Sequence, residues 1–114
     1  MSLAVFLEDP ETGSELFWAN IAHNLGTMAE VAGFYRACWC PEEINITTAR
    51  ELAPHLRDGL IKLVENPKKY EQYNSPNGWG MYEHFVPWVF EYWRACCANP
   101  DALVRVSLNG RDLW

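Results

Sequence analysis

The chain has 114 residues, of which 49% are hydrophobic and 21% are charged, a balance typical of a folded globular protein. This length suffices for one hydrophobic core, so we expect a single domain over residues 1–114. The formal net charge is −6 and the nine Lys and Arg residues form no cluster, which argues against an extended nucleic-acid interface. Aromatic residues reach 14%, an excess that favours a binding surface in addition to a core.

The sequence shows neither a membrane span nor a secretion signal. No apolar run approaches the roughly 18 residues that a membrane-spanning helix needs, and no basic start leads into an apolar stretch. The four cysteines, Cys38, Cys40, Cys96 and Cys97, form close pairs whose spacing fits neither a secreted disulfide framework nor a zinc site. We therefore expect a soluble cytoplasmic protein with reduced, buried thiols, no metal, no cofactor and no membrane partner.

A hairpin is predicted at the start of the chain. Residues 3–7 and 15–22 are rich in apolar and aromatic side chains and are expected to form strands. The intervening Asp9-Pro10-Glu11-Thr12-Gly13 joins a proline, which presets one backbone angle, to a glycine, which accepts a positive one. A third strand is predicted over residues 102–108, where side chains alternate between two faces.

Helical patterns fill the middle of the chain, over residues 27–39, 48–65 and 80–98. Thr27 with Glu30, and Thr48 with Glu51, are spaced as capping boxes and are expected to start the first two helices. Pro87 lies inside the third helix and predicts a kink there, because proline removes one hydrogen bond.

The predicted third helix is apolar nearly all the way round. One face follows the helical period and carries Tyr82, Phe85, Val86, Val89, Trp93 and Cys96. Trp88 and Tyr92 are placed on another side, and we expect this apolar surplus to form an interface with a second copy of the chain or with a host protein.

The fold class that follows is α+β, in the order ββαααβ. Three helices are expected to pack on one face of a small antiparallel sheet of three strands. The sheet has four strands if residues 109–114, which follow the hairpin signal Asn109-Gly110, pair instead of fraying.

Two short motifs carry a resemblance to known proteins. Asn20-Ile21-Ala22-His23-Asn24, and Asn77-Gly78-Trp79-Gly80 followed by Tyr82 and Glu83, resemble motifs of small proteins encoded by bacteriophages and prophages. Ala22 stands where the resemblance would place a hydroxyl residue. The resemblance implies phage origin and action in the bacterial cytoplasm, where such proteins often counter host defences by blocking a host protein or by sequestering a nucleotide immune signal.

The first motif has two possible roles. Asn24 is a favoured helix cap and His23 can satisfy a neighbouring carbonyl, which would make both residues structural. Alternatively, Asn20, His23 and Asn24 hydrogen-bond to a base or a ribose. The second role requires that this junction face the Asn77–Gly80 turn.

The second motif is the stronger candidate for a ligand site. Trp79 lies between two glycines, which leaves its indole with little local cover and open either to a ligand or to the core. Tyr82 and Glu83 follow on the first helical turn, and a helix N-terminus favours anions. Arg94, farther along the same helix, is the cation that we expect to meet a phosphate.

Three functions follow, in order of preference. The first is a non-enzymatic module that captures a small nucleotide-like molecule, with Trp79 and Tyr82 stacking on its base. The second is a protein inhibitor or an oligomer-forming module that uses the Trp88 and Tyr92 side of the helix. The third is a hydrolase that degrades a nucleotide signal, which would need His23 or Glu83 as a base.

Overall fold

The structure is a computed structural model, which describes residues 2–108. Its sheet has three strands, β1 (Ser2–Glu8), β2 (Glu15–Ala22) and β3 (Leu103–Leu108). β1 is central and pairs antiparallel with β2 on one side and with β3 on the other. The helices of residues 2–108 all lie between β2 and β3 in the sequence. The predicted α+β class is therefore confirmed, whereas the predicted fourth strand falls outside the described residues.

Five α-helices, and not three, occupy the middle of the described chain. They are α1 (Gly26–Val31), α2 (Tyr35–Trp39), α3 (Ala49–Glu65), α4 (Pro67–Glu71) and α5 (Tyr82–Ala98), and short 3-10 helices cover His23–Leu25 and Pro41–Ile44. None of the helices within residues 2–108 combines the length and apolar character needed to cross a membrane.

The predicted helix over residues 27–39 is broken at Gly33, which adopts a φ of 88°. The Gly33 N–H donates to the Glu30 carbonyl and the Phe34 N–H donates to the Ala29 carbonyl, both at 3.0 Å, a pattern that ends a helix at a left-handed glycine. The expected capping box at Thr27 is also wrong, because α1 begins one residue earlier and shows no side-chain cap. The break buries Phe34 in the core.

The second capping box is confirmed at the start of α3. The Glu51 carboxylate accepts hydrogen bonds from the backbone N–H groups of Thr47 at 2.8 Å and Thr48 at 3.0 Å. These bonds lower the pKa of Glu51, because they favour its ionised form. α3 then continues to Glu65 as one helix, with Pro54 inside it.

The two faces of the sheet differ in character. Leu3, Val5 and Leu7 of β1 are fully buried beneath the helices. The opposite face carries Phe6 between Trp18 of β2 and Arg105 of β3. Trp18 is 50% exposed, so this outer face has an apolar character that the helices do not cover.

α5 supplies the aromatic part of the core and corrects one prediction. Its buried face carries Phe85, Trp88, Val89, Tyr92 and Cys96, which recur at helical spacing. Tyr92 is fully buried and stacks on Phe17 of β2, with ring centroids 5.8 Å apart. The predicted interface at Trp88 and Tyr92 is therefore wrong, because both rings pack inside the chain.

Close packing between α3 and Phe34 gives a test of the core. A Cβ atom at Gly59 would lie 2.3 Å from Cδ1 of Phe34, which is only 3% exposed. We expect Gly59→Ala to lower the free energy of unfolding by about 1–3 kcal/mol, although alanine favours a helix over glycine by about 1 kcal/mol. Urea denaturation measures the change.

The exposed neighbour on α3 provides the matched control. Asp58→Ala should change the free energy of unfolding by no more than about 0.5 kcal/mol. A Gly59→Ala protein as stable as the wild type would contradict the tight contact with Phe34.

Candidate functional site

The two sequence motifs, far apart in the chain, meet in the fold. The Asn24 Nδ2 donates a hydrogen bond to the Trp79 carbonyl at 2.9 Å, across 55 residues. Gly80 has a φ of 83°, and a Cβ atom there would lie 2.1 Å from Oδ1 of Asn24. Only glycine satisfies both the backbone angle and this close approach. The Asn24–Gly80 clasp therefore holds the 77–80 loop against the end of β2.

Asparagine side chains shape the loop before α5. The Asn77 Oδ1 accepts a hydrogen bond from the Trp79 N–H at 3.0 Å, and the Asn74 Oδ1 accepts one from the Tyr82 N–H at 2.6 Å. These bonds fix the backbone locally, as asparagine commonly does in turns. The indole is left outside the core, and Trp79 is 69% exposed.

An open pocket of about 440 Å³ lies between the loop and the end of β2. We call it the Trp79 pocket. Ile21, Ala22 and Leu25 give it apolar walls, while Asn20, Trp79 and His84 bring the larger polar and aromatic side chains. Its volume falls within the range of small-molecule sites, roughly 300–1,000 Å³.

The lining of the Trp79 pocket carries little charge. It contains no Lys, Arg, Asp or Glu residue of the described chain. A pocket of this kind suits a neutral heterocycle better than a polyphosphate, because multiple phosphates need positive partners.

A smaller cavity of about 310 Å³ lies beside the clasp and is lined by His23, Asn24, Glu30 and Tyr35, among others. We call it the His23 cavity. The Trp39 Nε1 donates a hydrogen bond to Nδ1 of His23 at 3.1 Å. Because an indole N–H only donates, Nδ1 is the acceptor and the neutral ring carries its proton on Nε2. His23 is thus anchored to α2 and does not line the Trp79 pocket.

The predicted site residues separate into two groups. Asn20 and Trp79 line one pocket, and Asn24 positions that pocket through the clasp. Glu83 is exposed on α5 and does not line the pocket. Arg94 does not line the Trp79 pocket, so its predicted role at a phosphate there is not supported. It pairs instead with Glu91 at 3.7 Å and lies over the Phe90 ring at 5.7 Å.

Tyr82 has a structural role that the sequence prediction missed. Its hydroxyl donates a hydrogen bond to the Leu63 carbonyl at 2.6 Å. In a continuing α-helix this carbonyl would accept from residue 67, but Pro67 has no N–H. Tyr82 supplies the missing donor at the end of α3, and its predicted stacking on a ligand base is not supported.

His84 is the pocket residue that the sequence prediction overlooked. A helix that begins at Tyr82 turns by about 100° per residue, so His84 points away from Tyr82 by roughly 200°. Its position just after the loop is the signal that would have placed it at the pocket.

The cysteines occupy different environments. Cys38 and Cys96 are buried, Cys40 is half-buried and Cys97 is exposed, so the expectation of buried thiols holds for only part of the set. Burial raises the pKa of the Cys96 thiol to about 12. Within residues 2–108, no three or more His, Cys, Asp or Glu side chains are grouped so that they could hold a metal ion.

Comparisons with protein-family models, with curated proteins and with solved structures found no match for this chain. Its function is therefore inferred from the geometry of its own residues.

The hydroxyls of half-buried Tyr82 and fully buried Tyr92 are expected to respond differently to removal. Tyr82→Phe should lower the free energy of unfolding by about 1 kcal/mol, because the Leu63 carbonyl loses its donor. The Tyr92 hydroxyl has no hydrogen-bond partner among the described residues, and burial raises its pKa well above the ordinary value. Tyr92→Phe should leave stability unchanged or raise it by up to about 1 kcal/mol. Urea denaturation compares the two, and an equal loss in both would contradict these assignments.

Proposed function

We propose that the chain is a non-enzymatic, phage-type binding protein that captures a small nucleotide-like molecule in the Trp79 pocket and so counters a host immune signal in the bacterial cytoplasm. The observation that carries the proposal is the meeting of Asn20 and the 69% exposed Trp79 in one open pocket. The resemblance of both motifs to those of phage proteins supports the biological setting.

The side chains of the pocket suit the base of a nucleotide. An exposed indole offers a flat surface on which any base can stack. The Asn20 carboxamide has both a donor and an acceptor, which can pair with the polar edge of a base. His84 adds a further hydrogen-bonding group. These side chains would contact the base directly, whereas the sugar and the phosphate would be held less tightly.

The phosphate of such a ligand would lie toward solvent. No Arg or Lys of the described chain lines the pocket, and the formal net charge of −6 disfavours an anion at close range. The proposed ligand is therefore bound mainly through its base, without the arginine clamp that the sequence suggested.

Capture is favoured over hydrolysis because His23 and Glu83, the two bases proposed from the sequence, do not line the Trp79 pocket. His84 does line it, but the lining holds no carboxylate of the described residues that could orient His84 as a general base. Nδ1 of His23 accepts a hydrogen bond from Trp39, and His23 lines the neighbouring cavity. Glu83 lies outside the Trp79 pocket, and no other carboxylate of the described residues lines it. General-base chemistry needs a group within hydrogen-bonding reach of the reacting proton.

Titration calorimetry against nucleosides, mononucleotides, cyclic nucleotides and ADP-ribose-type molecules tests the proposal. We expect a binder in this panel whose affinity falls about 5- to 150-fold in Trp79→Ala, the range that corresponds to loss of one base–aromatic stack. Trp18→Ala is the matched control, because Trp18 is also exposed but does not line the pocket.

Either of two results would count against capture. One is a panel without any binder, and the other is a binder that Trp79→Ala holds as tightly as the wild type. Mass spectrometry after incubation should recover the ligand unchanged, whereas a hydrolysed product would favour an enzyme.

A second candidate function is an oligomer-forming module that pairs two copies of this chain through β2. β2 is an edge strand, and its sequence contains no lysine or proline that would block further pairing. An antiparallel edge strand can pair with its own copy about a two-fold axis. Leu16, 43% exposed, and Trp18, 50% exposed, would extend the contact over the outer face of the sheet.

Sedimentation velocity tests this association. We expect the wild type to form dimers at micromolar concentration and Trp18→Thr to shift toward monomers, because threonine keeps strand propensity but removes the aromatic surface. The Trp79→Ala variant should sediment like the wild type, because Trp79 lies outside this face of the sheet. A monomeric wild type over the whole concentration range would exclude the module.

A further inference from the structure

A cavity of about 330 Å³ lies between α3 and α5, where Arg50, Arg57, Trp93 and Cys97 line its walls. We call it the arginine cavity. Pro54 and Pro100 add apolar surface to it. Two cations and one large aromatic ring in a single cavity form a combination that the Trp79 pocket lacks.

The arginine cavity is separate from the Trp79 pocket. His84 of the pocket and Cys97 of the cavity lie near opposite ends of α5. Their separation of 13 residues corresponds to about 20 Å along a helix axis, at about 1.5 Å per residue. One mononucleotide cannot contact both, so the arginines cannot neutralise a phosphate bound beside Trp79.

Arg50 and Arg57 each form an ion pair that is exposed to solvent. Arg50 pairs with Asp101 at 2.9 Å, and the two side chains are 65% and 75% exposed. Arg57 pairs with the adjacent Asp58 at the longer distance of 3.4 Å. Ion pairs this exposed contribute little to stability, so an incoming oxyanion can take the place of either carboxylate. The guanidinium groups offer several N–H donors in a planar array that suits an oxyanion.

Trp93 provides the apolar half of the cavity. Its side chain is half-buried against the core, and its ring lies 6.1 Å from that of Phe90. A fixed indole beside guanidinium groups can contact the flat body of a small molecule while the charged group of that molecule meets the arginines. The apolar surface of Pro54 and Pro100 adds to this contact.

We propose that the arginine cavity is a second binding site, for a small molecule that carries an oxyanion, such as a phosphate or a carboxylate, directly on a flat apolar ring. Arg50 and Arg57 contact the oxyanion, and Trp93 contacts the ring. The site does not depend on the function proposed for the Trp79 pocket.

Titration calorimetry at low ionic strength with phenyl phosphate as the probe tests the site. Inorganic phosphate lacks the ring that contacts Trp93, and phenol lacks the phosphate that contacts the arginines. Each should therefore bind at least about 10-fold more weakly than phenyl phosphate. Arg57→Gln should weaken phenyl phosphate about 10-fold or more, since it removes a charge-assisted hydrogen bond. Asp101→Asn should tighten it, because the competing carboxylate on Arg50 is gone.

Cys97 is exposed and lines the cavity, so its reactivity reports whether the probe binds there. Phenyl phosphate should slow the alkylation of Cys97 by iodoacetamide in the wild type and not in Arg57→Gln, as peptide mass spectrometry reports. Trp79→Ala should bind phenyl phosphate like the wild type, which keeps this test independent of the first pocket.

The proposal is overturned if the wild type does not bind phenyl phosphate, or if Arg57→Gln binds it equally well while urea denaturation shows both proteins folded. It is also overturned if Asp101→Asn fails to tighten binding, or if inorganic phosphate binds as strongly as phenyl phosphate.

Discussion

The contact between Tyr92 of α5 and Phe17 of β2 joins the helices to the sheet. Their rings stack within 8° of parallel, and the aromatic series continues from Tyr92 through Trp88 and Phe85 to Phe34. Neighbouring ring centroids in this series are separated by distances typical of aromatic pairs, about 4.5–7 Å. Because the series sets where α5 crosses the sheet, it also sets where the loop before α5 arrives. That position is beside the end of β2, where the pocket forms.

Patterns among residues close in the sequence were sufficient to predict the N-terminal hairpin and the start of α3. The hairpin turn after Asp9 is stabilised within five residues, since the Asp9 Oδ1 accepts hydrogen bonds from the backbone N–H groups of Glu11 and Thr12. The Glu51 cap of α3 is equally local, with both donors within four residues. Signals of this range can be interpreted from one sequence because the interacting groups are fixed by short chain segments. The order of the three strands and the α+β class followed from them, whereas the number of helices did not.

The features that were missed depend on partners distant in the sequence. Trp88 and Tyr92 occur three and seven residues after Phe85, a spacing that already matches one helical face, but their burial depends on Phe17 and on the other helices. The role of Tyr82 depends on a carbonyl 19 residues away that Pro67 leaves without a donor. That Asn20 shares a pocket with Trp79 requires the whole fold, although each motif was recognised separately. Residue types thus identified the candidate site residues, and packing between distant segments determined which of them line the pocket.

The central position of β1 has a consequence for the order of assembly on the ribosome. Within residues 2–108, β1 is followed directly by its first neighbour, β2, yet its second neighbour begins only at Leu103, after α1 to α5. Until β3 is made, the hairpin therefore exposes the second edge of β1 and the apolar row Leu3, Val5 and Leu7. Closure of the sheet is a late, long-range event, which slows folding relative to a chain whose strands pair in sequence. A nascent chain of this topology must keep that edge from pairing with other exposed strand edges until β3 has been made.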